Sequence, residues 1–557
     1  MEPKPKRIKV DPVERELLPR VERTIELLPA EQLLRELILE CAQHFPGLEI
    51  WIAGGWVRDR LLGIPCSDLD LALSKVTGRD FGKFLESFSS KPEFEAKYRQ
   101  KAAALGIPDA KFTRFHIMER NVNKAKKLET AGGKLFGLDV DLVNLRKEVY
   151  DGHSRTPEME FGTPEEDAFR RDATVNSLLF HLEKQEVVDL TGSGLGDLDA
   201  RIMRTPLDPR QTFMDDPLRV LRLIRISSKL GFSIDPEAVR CMKDKDTRQA
   251  LDTMITRDRI NIELFKMMRD PSPVVAFQRL YETNLYTPIF IRLNSPLLQR
   301  LQACPRLGQS MSQRWPTTWP RAYRLLDYLL KDSSNLGKMV RSEANTDCLW
   351  TMVAYAPFAM LRETMLRQAV EEATIAIRAP VKISKLLENA LTNFDSICTI
   401  VDTVADHPEK PPPRSTIGMA IRSWGMTWTM QVLYVMAALC IFAPSQTPAS
   451  LDLAVEDSSI GDSLEKSLLS RYSVFADFVW DNDLRNSHLQ RPLLDGNEMQ
   501  SLFGLRKGGR FLKSAIDGLV AWQFDHSESG VEEAKVWLLG QRGAFGIPQA
   551  GNISVAL

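Results

Sequence analysis

The stretch IWIAGGWVRDRLLGIPCSDLDLALS, Ile50 to Ser74, constrains the architecture more than any other part of the chain. A short run of large apolar residues ends in two glycines, which reads as a strand followed by a turn. VRDRLLG follows as a short helix closed by Gly63. DLDLALS then alternates polar and apolar residues, the period of a half-buried strand. Strand, turn, helix and strand in so short a span predict a mixed α/β unit. Its second strand carries Asp68 and Asp70 at i and i+2, so both carboxylates project from one face.

Two adjacent carboxylates repel unless a cation lies between them. Mg²⁺ typically takes only one or two carboxylates, plus substrate phosphates. Gly54 and Gly55 supply the complement, because they let backbone approach a phosphate at the start of a helix whose free N–H groups favour anions. Arg58 adds a charged fork nearby. A glycine turn or a D-x-D alone is common on exposed strands. In this order and spacing the two describe a nucleoside triphosphate site with a divalent metal. The site is not a P-loop, since G-x-x-x-x-G-K-[ST] is absent. TGSGLG (Thr191 to Gly196) has the wrong spacing for a dinucleotide fingerprint and precedes no fitting βαβ unit, so it reads as a hinge or turn.

Other segments add chemistry. LDVDLV alternates like a strand and places Asp141 as a candidate third carboxylate, with Asp139 on the same face. In RRDATVN, Arg170, Arg171 and Asp172 precede Asn176, which helical spacing would put on the face of Asp172. In DDPLRVLRLIRIS, Asp216 precedes Arg219, Arg222 and Arg225, a cationic helix face opposite Leu218, Leu221 and Ile224. A carboxylate accepts hydrogen bonds and a guanidinium donates them. Such a pair suits the donor-beside-acceptor edge shared by cytosine and adenine, and leaves buried groups unpaired against uracil or guanine. A basic segment containing Lys124, Lys126 and Lys127 ends in Gly132-Gly133 and predicts a mobile loop. Near the C-terminus, Arg506, Lys507 and Arg510 open an amphipathic helix, either an RNA phosphate site or a structural turn. The seven histidines are isolated and receive no role.

Lys and Arg number 73 against 74 Asp and Glu, so the molecule is no polycation and any nucleic-acid surface must come from local clustering. Seven scattered cysteines with no C-x-x-C fit a reducing compartment and argue against structural zinc. MQVLYVMAALCIF, from Met430, is shorter than the ~20 residues of a bilayer span and predicts a buried helix. The basic N-terminus lacks the apolar core of a secretory signal. Beyond about Asp197 the periodicity becomes helical, with breaks at DHPEKPPPR and APSQTPAS. The predicted fold is α+β. An N-terminal tail and helix (1–46) precede a head with a small mixed or antiparallel sheet (47–190). A helical neck (191–285), body (286–440) and tail (441–557) follow.

GGWVRDRLLG with SDLDLAL resembles the active-site signature of the polymerase-β-type nucleotidyltransferases. EEDAFRRDATVNSLLF, DLTGSGLGDLDARIMRT, FMDDPLRVLRLIRISSKLGFSID and TRDRINIELFKMM then resemble, in order, the ribose-recognition, hinge, templating and following segments of class II CCA-adding enzymes. The resemblance covers roughly Gly47 to Asp270, and the strand around Asp141 looks eukaryotic, of fungal style. Where bacterial members carry Glu-Asp this chain has Asp215-Asp216, and Ala173-Thr174-Val175-Asn176-Ser177 replaces Phe-Thr-Ile-Asn-Ala. Both changes are conservative.

The resemblance implies transfer of C, C and A from CTP and ATP to the 3′ end of tRNA, with Mg²⁺ on Asp68 and Asp70. It also implies that Arg171 meets the triphosphate, Asp172 and Asn176 the ribose, and Asp216 and Arg219 the base. Class II members are thought to manage with two carboxylates, which leaves Asp141 open. The basic loop would assist the change from CTP to ATP, and the tail would grip the tRNA elbow. A monomer is expected, with no membrane contact, inside the cell in cytoplasm, nucleus or mitochondrion. The rival readings are a poly(A) polymerase of the same superfamily and a catalytically silent RNA-binding scaffold.

Overall fold

A computed structural model describes residues 24–107, 113–118, 130–149, 158–303, 318–342, 345–407, 409–442, 463–505 and 509–547. The chain divides into two units, Met1–Pro288 and Ile289–Leu557. The first is α+β, and the second is helical among the described residues.

The first unit opens with α1 (Pro29–Ala42), β1 (Ile50–Ala53), α2 (Gly55–Leu61) and β2 (Asp68–Leu73). Helices α3 (Gly78–Ser89) and α4 (Pro92–Ala104) lead to the hairpin β3 (Thr113–Met118) and β4 (Thr130–Leu135), then β5 (Leu138–Asn144). A second small hairpin, β6 (Arg146–Val149) with β7 (Glu158–Phe161), precedes α5 (Pro164–Phe169), β8 (Leu179–His181) and β9 (Glu186–Val188). Seven strands form one sheet in the order β3-β4-β5-β2-β1-β8-β9. Only β2 and β5 run parallel within it, and every other neighbouring pair is antiparallel. A parallel pair needs a long crossover, which α3, α4 and the β3–β4 hairpin supply.

Alternation in β2 assigns its faces. Leu69, Leu71 and Leu73 enter the main core with Ile50 and Ile52 of β1 and Val140 and Leu142 of β5. Asp68 and Asp70 are left on the other face, where Asp68 is exposed and Asp70 half-buried. The N-terminal helix α1 packs Leu33, Leu34, Leu37 and Ile38 into that core, so it is built into the head. Its buried Glu31 accepts a hydrogen bond from Trp56 Nε1 at 3.1 Å, which anchors α2. Thr77 caps α3, and Gly78 meets β5 so closely that a Cβ there would sit 2.0 Å from the Leu142 carbonyl oxygen.

Beyond the sheet come α6 (Gly194–Ala200), the two-residue strand β10 (Ile202–Met203), α7 (Pro209–Asp215) and α8 (Leu218–Leu230). They are followed by β11 (Ser233–Ile234), α9 (Pro236–Met242), α10 (Lys245–Met254), α11 (Arg257–Arg269) and α12 (Pro273–Glu282). Of the TGSGLG stretch, expected as a hinge or turn, residues 191–193 form a turn and residues 194–196 open α6. The Asp189 carboxylate accepts from the Thr191, Gly192 and Leu195 amides at 3.0–3.2 Å.

In the second unit the apolar run falls in the helix Trp428–Phe442, almost all of whose residues are buried. With the preceding helix it is the one stretch among the described residues long and apolar enough to cross a bilayer, and 72% of that window is inside the fold. It is a core helix. The last helices share a small core of Met499, Phe503, Leu519, Trp522 and Leu538.

Candidate active site

The β2·β5 register sets Asp70 opposite Asp141 and Asp68 opposite Asp139. Paired residues on adjacent strands share a face, so four carboxylates line one side of the sheet. The Asp70 carboxyl is pushed up to about 6, chiefly by burial and further by Asp68 and Asp141, against the pull of Arg171 and Arg146. Asp68, exposed as a residue, is raised as well, by the partial desolvation of its carboxyl against the sheet and by Asp141 and Asp139. Among the described residues no group of three or more His, Cys, Asp or Glu side chains is arranged to hold a metal. A site of two carboxylates, each penalised for its charge, fits a hard divalent cation that completes its shell with substrate oxygens.

Gly54 separates β1 from α2 with φ +77° and ψ −135°, a conformation essentially reserved for glycine. A Cβ there would lie 3.1 Å from Arg171 Nη1 and 3.6 Å from Asp70 Oδ2. The turn, the arginine and the aspartate therefore meet at one point. Gly55 opens α2, and its own Cβ would touch the Arg58 guanidinium at 3.4 Å. Arg58 is buried and committed: its Nε donates to Asp59 at 2.7 Å and its Nη1 to the Asn176 side-chain oxygen. It braces the turn from beneath instead of offering an open fork.

Arg171 is held by the buried Asp167, which accepts from its Nε at 3.0 Å and its Nη2 at 2.7 Å. Arg170 grips the other oxygen of the same carboxylate. Burial would raise Asp167, but Arg171 and Arg170 outweigh it and hold it down at about 2. Asp172 is likewise held well below the carboxylate range despite its burial, by Arg222 and Asn176. Asn176 Nδ2 donates to it at 2.8 Å and Arg222 Nε at 2.6 Å.

The helix expected across RRDATVN is not formed. α5 ends at Phe169, residues 170–173 turn, and Thr174–Asn176 is a short 3₁₀ element. Asp172 and Asn176 meet through this turn, which the Thr174 amide pins to the Arg204 carbonyl at 2.8 Å. The segment around Asp216 and Arg219 differs in a similar way. Asp216 ends α7, Pro217 breaks the chain, and Arg219 lies buried in the first turn of α8 with Nη1 3.5 Å from the Thr212 carbonyl. Asp216 Oδ2 accepts instead from Arg259 Nη2 at 2.9 Å, while its Oδ1 caps the Leu218 amide at 3.2 Å. Arg225 donates to Glu263 at 2.7 Å, and Arg222 reaches Glu263 at 4.0 Å. The expected cationic face of α8 is therefore largely neutralised by Asp172 and Glu263.

The sequence from 50 to 204 matches the family described as "Poly A polymerase head domain", and 231–298 matches "Probable RNA and SrmB- binding site of polymerase A". A nucleotidyltransferase of Purpureocillium lilacinum, lcsQ, is 33% identical over 95% of this chain and 94% of its own. The tRNA nucleotidyltransferase cca2 of Schizosaccharomyces pombe is 31% identical over 88% of this chain and 92% of its own. The mitochondrial CCA tRNA nucleotidyltransferase of Saccharomyces cerevisiae is also 31% identical, over 86% and 85%. The chain belongs to the fungal CCA-adding tRNA nucleotidyltransferases. The fold agrees: a solved CCA-adding enzyme in its apo form superposes with a TM-score of 0.57 at 16% identity, covering 92% of this chain and 96% of that one.

Within this nucleotidyltransferase, Asp59, Asp167, Arg259, Glu263 and His116 take part in the arrangement without having been singled out from sequence. Asp167 had a local signal, standing three and four residues before Arg170 and Arg171. His116 had none: it faces Asp141 only because β3, β4 and β5 align His116, Gly132 and Asp141 side by side. Gly132 and Gly133 lie inside β4, not at the end of a loop. Lys124, Lys126 and Lys127 lie outside the described residues, as do Arg506 and Lys507. Arg510 is exposed at the start of the helix Arg510–Asp525, behind Gly509 at its N-cap.

Proposed function

We propose that this enzyme joins a nucleotide to the tRNA 3′ end through Asp68 and Asp70, with CTP and ATP as donors and pyrophosphate as leaving group. The reading is carried by the pairing of Asp70 with Asp141 next to the Gly54 turn and Arg171. Mg²⁺ held by Asp68 and Asp70 would supply Lewis-acid stabilisation of the phosphate oxygens and ease ionisation of the attacking hydroxyl. Arg171, locked by Asp167, presents a guanidinium to the triphosphate at the glycine turn. Asp172 and Asn176 receive the ribose hydroxyls, and their mutual hydrogen bond and those to Arg222 and Arg58 fix them before the nucleotide arrives. Asp216 accepts the amino group of cytosine or adenine, with Arg219 across Pro217 and Arg259 fixing the carboxylate. A mitochondrial share of the protein is part of the proposal, supported by the name of the Saccharomyces cerevisiae relative.

The test is incubation of purified protein with tRNA lacking its terminal CCA, Mg²⁺, CTP and ATP. Three added residues and a stop are expected, and an unlimited A tail would favour the poly(A) polymerase reading. Asp68→Ala and Asp70→Ala should each abolish C and A addition while tRNA binding persists. Substantial turnover in either variant would remove these residues from the mechanism.

A further inference from the structure

The Gly54 turn and Arg171 approach Asp70 from the β1 side of the sheet. On its other side, β5, β4 and β3 enclose a cavity of about 270 Å³ lined by Asp68, Asp141, Asp139, His116, Gly133 and Lys134. Its floor is the backbone of β4. A Cβ added at Gly132 would lie 2.2 Å from Asp141 Oδ1 and 2.9 Å from His116 Cε1, so a carboxylate and an imidazole converge over a glycine that any side chain would fill. Lys134 stands at the rim, its Nζ 3.5 Å from Asp139 Oδ1.

The lining is mixed: three carboxylates, an imidazole and one ammonium. A triphosphate would be repelled by the carboxylates. A ribose offers hydroxyl donors to them, and a single phosphate fits the one lysine. Nucleotidyl transfer adds a directional constraint, since attacking and leaving oxygens lie roughly in line on opposite sides of the phosphorus. With the triphosphate at Gly54 and Arg171, the leaving group departs on the β1 side. The attacking hydroxyl then comes from the β5 side, where this cavity opens.

From this geometry we infer that the cavity between β5, β4 and β3 seats the 3′-terminal nucleotide of the RNA, with His116 contacting its ribose and Lys134 its phosphate. The inference rests on the proposed placement of the triphosphate. Gly132 matters because it lets Asp141 and His116 close on the same hydroxyl-bearing ring.

The test uses tRNA ending in CC whose terminal 2′,3′-diol has been oxidised by periodate to a dialdehyde. A lysine amine within reach forms an imine with loss of water, and cyanoborohydride reduces it to a stable link. A tRNA adduct on the peptide containing Lys134, lost in Lys134→Arg, is the expected result. Adducts confined to other lysines, or yield unchanged in Lys134→Arg, would overturn the assignment. In parallel, His116→Ala should lower kcat for A addition by about tenfold or more with KM for ATP within twofold, and His116→Asn should restore part of it. A loss appearing in KM for ATP and CTP with kcat kept would put this cavity on the nucleotide side and refute the inference. Asp70→Asn separates the two levels: activity surviving there refutes the placement of the chemistry itself, whatever Lys134 labels.

Discussion

Replacing Asp70 with asparagine should make the metal-free protein more stable while ending turnover. The Asp70 carboxyl titrates at about 6 in the folded chain against an ordinary 3.8. Between those values the native state holds a proton that the unfolded chain has released, so stability falls as pH rises through this window. The full cost is reached above about pH 6. A shift of about two units at ~1.4 kcal/mol each amounts to about 3 kcal/mol at pH 8, and about half of that remains at pH 5. The substituted amide would carry no charge, but Arg171 would lose a neighbouring anion, so a net gain of about 1–2 kcal/mol at pH 8 is expected. The chain has two units, so a single unfolding midpoint would mix them. Hydrogen exchange of peptides covering β1 and β2, followed in urea with EDTA, reads the relevant unit alone. Mg²⁺ should then stabilise the parent protein but not the variant. A variant less stable than the parent at pH 8 in EDTA, or a gain equal at pH 5 and pH 8, would refute the idea that unbalanced carboxylates are stored in this site.

Gly54→Ala should cost about 1–3 kcal/mol from its positive φ and raise KM for CTP and ATP together, because the new Cβ presses on Arg171. Equal KM values in the variant and the parent would detach the turn from the triphosphate. Arg259→Ala frees Asp216 from its ion pair and should lower the kcat/KM ratio of CTP over UTP several-fold with little change in melting temperature. An unchanged ratio would mean that Arg259 does not set the carboxylate's aim. Asp167→Asn should destabilise the protein by about 2 kcal/mol at pH 7, since a carboxyl held at about 2 stabilises the fold above its ordinary pKa and loses that contribution as pH falls toward 2. The difference between parent and variant should shrink below about pH 4, and a gap constant down to pH 3 would point to a packing defect.

What the sequence made legible was local. Period-two alternation around Asp68 and Asp141 predicts two strands, and the glycines between β1 and α2 predict the turn. Which strands pair is a tertiary outcome, so neither the alignment of Asp70 with Asp141 nor the meeting of His116 with Asp141 across Gly132 has a local signature. RRDATVN misleads because i, i+4 spacing is equally satisfied by a turn, and here the amide of Thr174 finds its acceptor at Arg204, just past β10. The arginines of α8 read as a cationic face because their counter-charges, Asp172 and Glu263, come from elsewhere in the chain. Asp216 is opposed by Arg259 for the same reason, and the intervening Pro217 is what separates it from the helix of Arg219.

The parallel pairing of β2 with β5 also governs when the site can come into being. Asp70 and Asp141 stand at opposite ends of a long crossover, and closing that loop costs chain entropy before any hydrogen bond of the pair is gained. During refolding, α1, α3 and α4 can form from local contacts first, so nucleotide binding should recover after the far-ultraviolet helical signal. The same order applies on the ribosome. A nascent chain carries both aspartates of β2 long before β5 has emerged, and β8, which flanks β1 on the other side, comes later still. Until then the D-x-D stretch has only β1 to pair with, and Asp70 has no Asp141 opposite it.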